Sequence, residues 1–286
     1  MRISFAVRRF NASFAGAVAR VALAFVGCAL LVMGSAAQNP TTMMPAQSAA
    51  KARELIDRSI QALGGQTYLQ VRDLTRELRL AQFGTTGDLE GFTRVWDYVA
   101  LPDKNRSEYF QKRNIITVYN GDKGWVMDRA GVEEASATEI EQFQEGLKKD
   151  IDQLFRFRLK EEGLIFRYGG SDLLDLKQVD WVEVIDRERR QFRFAIEKST
   201  GLPIRAVYST RDPETRVRYE EVEYLSNYHS VQGIMTPMQV WRDRNGRKVY
   251  QAFIEKCEYN TGLNDSFFSR ASLEEAYGKI NKKKKK

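Results

Sequence analysis

The chain has 286 residues, 43% of them hydrophobic, which is enough for one large core or two small ones. Its net charge of +7 arises at the two ends: the first 37 residues contain four arginines and no acid, and residues 282–286 are all lysine. The rest of the chain has 36 basic and 38 acidic residues. A nearly neutral body without a zinc-finger or basic-helix pattern argues against nucleic acid as a partner.

Residues 1–37 have the pattern of a secretory signal peptide. An arginine-containing leader precedes an apolar segment at residues 21–34, and Ser35, Ala36 and Ala37 supply the small residues of a cleavage site. We predict cleavage after Ala37 and export to the periplasm. The alternatives are an uncleaved membrane anchor and a lipid anchor on Cys28, which follows a small residue as in a lipobox. Residues 38–48 then form a linker.

A helix and a first group of strands follow the linker. Residues 49–63 place apolar side chains at helical spacing, and Gly64 and Gly65 end this helix. From Leu74 the apolar period changes to two, which puts Leu74, Leu78 and Leu80 on one face of a strand. Turn residues divide the segment that follows into about five antiparallel strands.

A second helix interrupts the strands in the middle of the chain. Ser136 and Glu139 form a capping box at its start. One apolar stripe follows, made of Ile140, Phe143, Leu147, Ile151, Leu154 and Phe155. Such a stripe is typical of a helix that packs on a core. The other interpretation is a lid over a cavity, whose stripe stays only partly buried while the cavity is empty.

About six strands occupy the C-terminal part, and the last two flank Asn245-Gly246, a dipeptide that suits a type I′ hairpin turn. Along this hairpin Met238, Val240, Val249 and Phe253 alternate with polar residues. Trp241, Tyr250 and Ile254 add bulk to the opposite face. Because both faces have apolar residues, we expect each side of the hairpin to be covered at least in part.

The inventory of reactive residues excludes most catalytic centres. His229 is the sole histidine and lies in a polar connection into the hairpin, and a G-x-S-x-G elbow is absent from the sequence. Cys257 is the only cysteine after the signal peptide, and its position indicates a small sheet residue. No cofactor is implied. An exported hydrolase could still use carboxylates, for which the candidates are Glu220, Glu221 and Glu223, Asp172 with Asp175, and Glu133 with Glu134.

Aromatic residues make up 11% of the chain and occur on nearly every predicted strand. A sheet that curls without closing forms an apolar trough, and a helix laid across it completes a cavity. Acyl chains suit such a cavity because each buried methylene contributes about 0.8 kcal/mol, with no need for a specific polar anchor. The predicted lining and lid residues are Leu78, Leu80, Trp96, Trp181, Phe192, Phe194, Trp241, Phe253, Ile140, Phe143, Leu147, Ile151 and Leu154.

Several local motifs occur together in this chain. They are A-R-E-L-I-D-R-S-I-Q-A-L-G-G at 52–65, Y-N-G-D-K-G-W-V-M-D at 119–128, S-T-G-L-P-I-R-A-V-Y at 199–208, V-Q-G-I-M-T-P at 231–237, C-E-Y-N at 257–260 and D-S-F-F at 265–268. As a set they resemble the LolA-like superfamily of bacterial periplasmic lipoprotein and lipid carriers.

The resemblance implies an α+β, β-dominated fold: an unclosed antiparallel half-barrel of about eleven strands with an N-terminal helix and a mid-chain helical lid. This domain spans residues 49–270, and residues 271–286 form a C-terminal segment with a polylysine tail. The implied function is a non-enzymatic carrier of acyl chains, with membrane-associated donor or acceptor proteins as transient partners. An exported hydrolase and a sensor of lipid or misfolded protein are the alternatives.

Overall fold

The computed structural model describes residues 43–84, 86–211 and 217–284. The predicted signal peptide, Cys28 and residues 38–42 of the linker lie outside the described residues. The first helix, α1 (Pro45–Leu63), begins inside the predicted linker. Pro45 suits the first helical turn because its missing N–H has no intrahelical partner there. The side chain of Gln47 also accepts a hydrogen bond from the Met44 N–H at 3.3 Å.

A short helix, α2 (Gly65–Leu69), leads into the first group of strands. These are β1 (Asp73–Phe83), β2 (Leu89–Ala100), β3 (Lys104–Tyr109), β4 (Ile115–Asn120), β5 (Lys123–Met127) and β6 (Val132–Glu134). The mid-chain segment consists of α3 (Ala137–Lys149), α4 (Ile151–Gln153) and a π-helical turn (Leu154–Arg158).

A second group of strands follows. These are β7 (Ile165–Leu174), β8 (Lys177–Ile185), β9 (Gln191–Glu197), β10 (Pro203–Arg211), β11 (Arg218–Val231), β12 (Ile234–Arg244) and β13 (Arg247–Tyr259). A 3₁₀ turn (Asp265–Phe268) and helix α5 (Arg270–Lys284) complete the described chain.

The strands form one antiparallel sheet in the order β6-β5-β4-β3-β2-β1-β13-β12-β11-β10-β9-β8-β7. The first and last strands are therefore neighbours at the centre, and within the described residues the edge strands β6 and β7 do not pair with each other. This confirms the predicted β-dominated, unclosed half-barrel with an N-terminal helix. The sheet has 13 strands, two more than predicted. The sequence concealed β6 because it has three residues, and β7 because Gly169 and Gly170 interrupt its apolar alternation.

The sheet has two differently covered faces. We call inner the face that packs against α1 and α4, with Leu74, Val182 and Phe194 among its buried residues. The opposite, outer face is covered at β3–β5 by the 3₁₀ turn and α5. A separate cluster of Ile116, Val118, Met127, Phe268 and Leu273 forms this contact. Helix α5 continues through Lys284, into the run of lysines at the C-terminus.

The hairpin turn lies at the Asn-Gly dipeptide, as predicted. Asn245 and Gly246 both have positive φ angles, of 48° and 75°, which a type I′ turn requires. The predicted faces of the hairpin are wrong. Arg244 pairs with Arg247, but a bulge between Arg242 and Asp243 shifts the register, so that Val240 pairs with Ala252.

One extra residue in a strand moves every later side chain to the other face. Val240 therefore lies on the inner face with Tyr250 and Ile254, whereas Trp241 lies on the outer face with Phe253.

None of the described helices is long and apolar enough to cross a membrane.

Candidate ligand-binding site

The inner face over β7–β10 is densely packed. Helix α1 buries Ala52, Leu55 and Ile56 there almost completely. On the same inner face, Phe155 of the π-helical turn contacts Phe194 edge to face, with ring centroids 5.4 Å apart. Two helical layers thus fill this half of the concave surface, as close packing in a protein core requires.

One cavity in the packed half is too small for a lipid. It lies between the mid-chain helices and β8–β10, contacts Leu154, Phe192 and Tyr208, and has a volume of about 20 Å³. That is room for about one water molecule, whereas ligand pockets usually have about 300–1,000 Å³. A neighbouring open concavity of about 440 Å³ has charged walls, including Lys148, Arg158 and Asp186. An acyl chain therefore requires the mid-chain helices to move.

Helix α3 contacts the sheet, but its own residues stay at least partly exposed to solvent. The Ser136 hydroxyl accepts a hydrogen bond from the Glu139 N–H at 3.3 Å, and the Glu139 carboxylate accepts one from the Ser136 N–H at 2.8 Å, so the predicted capping box is present. None of the 13 residues of α3, all of which the structure describes, is buried. In contrast, Ile151 and Leu154, which continue the same apolar stripe, are buried. The stripe therefore divides at Asp150.

Side-chain contacts connect α3 to both halves of the sheet. Phe143 stacks on Tyr119 of β4 with ring centroids 4.6 Å apart. Glu145 forms an ion pair at 3.1 Å with Arg190, in the turn between β8 and β9. The pKa of Glu145 lies below its ordinary value, because Lys148 and Arg190 outweigh the opposing effect of partial burial. Few, exposed contacts hold a helix weakly, so α3 is suited to open.

The inner face of β1–β4, of which Tyr119 contacts α3, is only partly buried. Leu78 and Val95 are buried there, while Leu80, Tyr109 and Tyr119 keep part of their surface accessible. We call the inner-face surface formed by these five side chains the hollow. Its side chains are aliphatic or aromatic, and three of them are only partly buried.

A charged network lies on the inner face beside the hollow. Arg76 of β1 pairs with Asp97 of β2, whose carboxylate also accepts hydrogen bonds from Asn105 and Ser107 of β3, each at 2.8 Å. Burial alone raises the pKa of Asp97, but Arg76 and the two hydrogen bonds outweigh it and hold the pKa below its ordinary value. Arg76 in turn has a raised pKa, because the carboxylate outweighs its burial.

Two further acids approach the network from α4. The Asp150 side chain caps α4 by accepting a hydrogen bond from the Gln153 N–H at 3.0 Å. Asp150 as a whole residue is exposed, but desolvation of its carboxyl group and the charge of Asp152 raise its pKa to about 7, although the nearby Arg76 lowers it. Asp152 itself accepts a hydrogen bond from the Tyr68 hydroxyl at 2.5 Å.

The candidate catalytic acids have structural partners. Glu221 pairs with Arg244 at 2.7 Å and Glu223 pairs with Arg242 at 2.8 Å. The other pairings are Asp175 with Arg205, Glu134 with Arg270, and Asp172 with the indole N–H of Trp181, while Glu133 and Glu220 are exposed. Among the described residues, no cluster of three or more His, Cys, Asp or Glu is placed to hold a metal ion.

We predicted that His229 lies in a loop. It lies in strand β11 instead. The strand continues past the polar residues around it, and His229 pairs there with Thr236. Its exposed ring lies 3.1 Å from the Asn227 side chain. Backbone pairing with β12 therefore outweighs the turn-like composition of this segment.

The 13 predicted site residues fall into four groups. Leu78 and Leu80 line the hollow, whereas Phe192, Phe194, Ile151 and Leu154 lie in the packed half. Ile140, Phe143 and Leu147 are half-buried on α3. The remaining four lie on the outer face, because each alternates along its strand with residues of the inner face. They are Trp96, Trp181, Trp241 and Phe253.

Sequence reasoning missed Arg76 and Asp97, because charged residues within an alternating strand normally face solvent. Their spacing could have indicated the inward direction. Arg76 lies two residues from Leu74 and from Leu78, and Asp97 lies two residues from Val95, so each shares a strand face with apolar residues.

Comparison with known proteins supports the architecture. No protein-family model and no curated protein matches the chain. Among solved structures, a DUF1329 family protein from Desulfovibrio piger has a TM-score of 0.57 at 13% identity, covering 78% of this chain and 98% of that chain. An outer membrane lipoprotein-sorting protein domain from Vibrio parahaemolyticus has a TM-score of 0.53 at 12% identity, with coverage of 78% and 99%.

A LolA superfamily protein from Nitrosomonas europaea has a TM-score of 0.50 at 11% identity, again covering 78% of this chain and 99% of that chain. Likeness at such low identity concerns the fold. The chain therefore shares the fold of these structures, which is the LolA-like half-barrel that its motifs predict.

Proposed function

We propose that this protein is a non-enzymatic periplasmic carrier that binds acyl chains of a lipoprotein or lipid in the hollow beneath α3. The observation that carries the proposal is the partial burial of α3. An amphipathic helix normally buries its apolar stripe, yet Ile140, Phe143 and Leu147 stay half-exposed above an apolar surface. An acyl chain that enters between α3 and the sheet supplies the missing cover.

The energetics suit a reversible carrier. Each methylene that leaves water contributes about 0.8 kcal/mol, so a long chain gains enough to compete with a membrane. The few contacts of α3, such as the Phe143–Tyr119 stack and the Glu145–Arg190 pair, are lost at small cost when the helix swings away. Donor and acceptor proteins at the inner and outer membranes are the partners that this cycle requires.

Hydrolysis is less well supported by the geometry. Among the predicted candidate acids, Glu221 and Glu223 are engaged by arginines, in the Glu221–Arg244 and Glu223–Arg242 pairs. Their carboxylate oxygens are thereby occupied by structural ion pairs rather than directed at a substrate.

The test combines native cargo with direct binding. Protein purified from its own periplasm is extracted with organic solvent and analysed by mass spectrometry, and the emptied protein is titrated with a fluorescent C16 fatty acid. We expect co-purified lipid and saturable binding that weakens several-fold in Phe143→Ser. The matched control is Phe92→Ser, which removes an exposed phenylalanine of β2 and should leave binding unchanged. A lipid-free extract together with no saturable binding overturns the proposal.

A further inference from the structure

Arg76 has an unusual position for an arginine. It lies on the inner face of β1 between Leu74 and Leu78, and its neighbours across the strands are Asp97 on β2 and the buried Cys257 on β13. A charge in an apolar wall has a desolvation cost that a hydrophobic residue avoids, so an ion pair there is weak support for stability. Its presence calls for another explanation.

The orientation of Arg76 is fixed by a buried carboxylate. Its Nε and Nη2 atoms both donate to Oδ2 of Asp97, at 3.1 and 2.5 Å. The other oxygen, Oδ1, accepts hydrogen bonds from the Asn105 amide and the Ser107 hydroxyl at 2.8 Å. Asp97 thus has both oxygens occupied, and three neighbouring strands hold the guanidinium in one direction.

The opposite edge of the guanidinium remains available. Among the described residues, Nη1 of Arg76 has no hydrogen-bond acceptor. The Arg76 side chain is 37% exposed, whereas that of its partner Asp97 is 9% exposed. The accessible part of Arg76 lies on the inner side of the sheet, between Leu74 and Leu78, where the Asp150 carboxyl is close enough to feel its charge.

We propose that Arg76 binds the polar end of the cargo, an anionic oxygen group such as a carboxylate or a phosphate, while the acyl chain lies along Leu78, Leu80 and Val95. A guanidinium is the side chain best suited to such groups, and its N–H donors form strong charge-assisted hydrogen bonds. This inference rests on the proposed function and adds a selection for charged over neutral amphiphiles. Asp97 acts as the positioning residue.

The experiment compares ligands that share one chain and differ at the head. Emptied protein is titrated with palmitate, monohexadecyl phosphate and 1-hexadecanol, each delivered from cyclodextrin, by isothermal titration calorimetry. We expect at least one anion to bind about tenfold or more tightly than the alcohol, since a hydrogen bond to a charged group is worth about 1.5–3 kcal/mol. The ranking of palmitate against the phosphate distinguishes a carboxylate cargo from a phospholipid-like one.

Arg76→Gln should remove the preference by weakening the anions while the affinity for hexadecanol stays unchanged. Because this change leaves Asp97 buried without its partner, the double variant Arg76→Gln/Asp97→Asn, which removes both charges, is measured as well. Arg94→Gln on the outer side of β2 is the control and should keep the preference.

Equal affinity of the natural protein for all three ligands overturns the role of Arg76 and leaves the carrier proposal standing. An undiminished preference in the double variant does the same. Failure of all three ligands to bind contradicts the carrier proposal itself.

Discussion

The two halves of the inner face differ in how they are covered. Over β7–β10, α1 and the π-helical turn fill the curve of the sheet with fully buried residues such as Leu55 and Phe194. Helix α3, which stacks on β4 and reaches the β8–β9 turn, buries none of its own residues. One half of a single sheet is thus built as a core and the other as an openable surface. The difference teaches that curvature supplies the concavity, whereas the covering helix decides whether it is filled.

The largest expected effect is a loss of stability from the packed half. Phe194→Ala removes a ring that is fully buried and in contact with Phe155, so we expect the free energy of unfolding to fall by about 3–5 kcal/mol. Urea denaturation measures it. Phe143→Ala in α3 is the counterpart and should cost about 1 kcal/mol, the scale of one half-exposed aromatic pair. Similar losses in both variants would show that α3 belongs to the core.

A second change acts on the start of α3. Ser136→Ala removes the hydroxyl that caps the helix, so local opening of α3 should become easier by about 1 kcal/mol, or roughly fivefold in amide exchange. Hydrogen exchange followed by mass spectrometry measures this for α3 and α4 separately. Thr138→Ala, an exposed change in the first turn of α3, should have little effect. Faster exchange throughout the mid-chain segment would contradict a division at Asp150.

Asp150, the residue at which the apolar stripe divides, should make the free energy of unfolding depend on pH. The pKa of Asp150 is about 7 in the folded protein, above the value of about 3.9 of an unfolded chain, so the folded state holds this proton more tightly. The contribution of Asp150 to the free energy of unfolding is therefore complete below about pH 4 and decreases as the pH rises through 7.

Asp150→Asn should flatten this part of the stability profile between pH 5 and 8, roughly the range of the titration. Asparagine still accepts the hydrogen bond that caps α4. Asp122→Asn, an exposed acid after β4, is the control and should leave the profile unchanged. An identical slope in Asp150→Asn and the natural protein contradicts the assignment.

The smallest effect is expected at the far end of α3. Glu145→Gln removes the ion pair with Arg190, which is worth about 0.2–1 kcal/mol for a partly exposed pair. Amide exchange in the last turn of α3 should rise slightly, and about 0.5 M salt should reproduce the change in the natural protein. Glu141→Gln, on the exposed side of α3, provides the comparison. An exchange rate insensitive to salt and to Glu145 would show that this contact does not hold the helix.

Sequence patterns predicted the fold well where local chemistry decides it. The Asn245-Gly246 turn, the capping box at Ser136 and the alternation of Leu74, Leu78 and Leu80 each act over a few residues. The half-barrel itself followed from a resemblance of motifs, which the solved structures confirm at the level of fold.

The candidate site was harder to predict because its geometry depends on register. The bulge at the Arg242–Asp243 register shift left no mark in composition, yet it moved Phe253 to the outer face. The Arg76–Asp97 pair joins residues on different strands, and its inward direction depends on which face curls. The partial burial of α3 likewise follows from packing, since the same apolar stripe suits a core helix and a lid.

The pairing of β1 with β13 at the middle of the sheet has a consequence for how the protein is held together. Each half is a chain of consecutive hairpins, and this seam joins them without help from the segment around α3. A backbone cut within α3 would therefore leave both pieces attached. Circular permutation at that point should yield a folded protein whose new termini lie in α3. Helix α3 could then be replaced without changing the sheet.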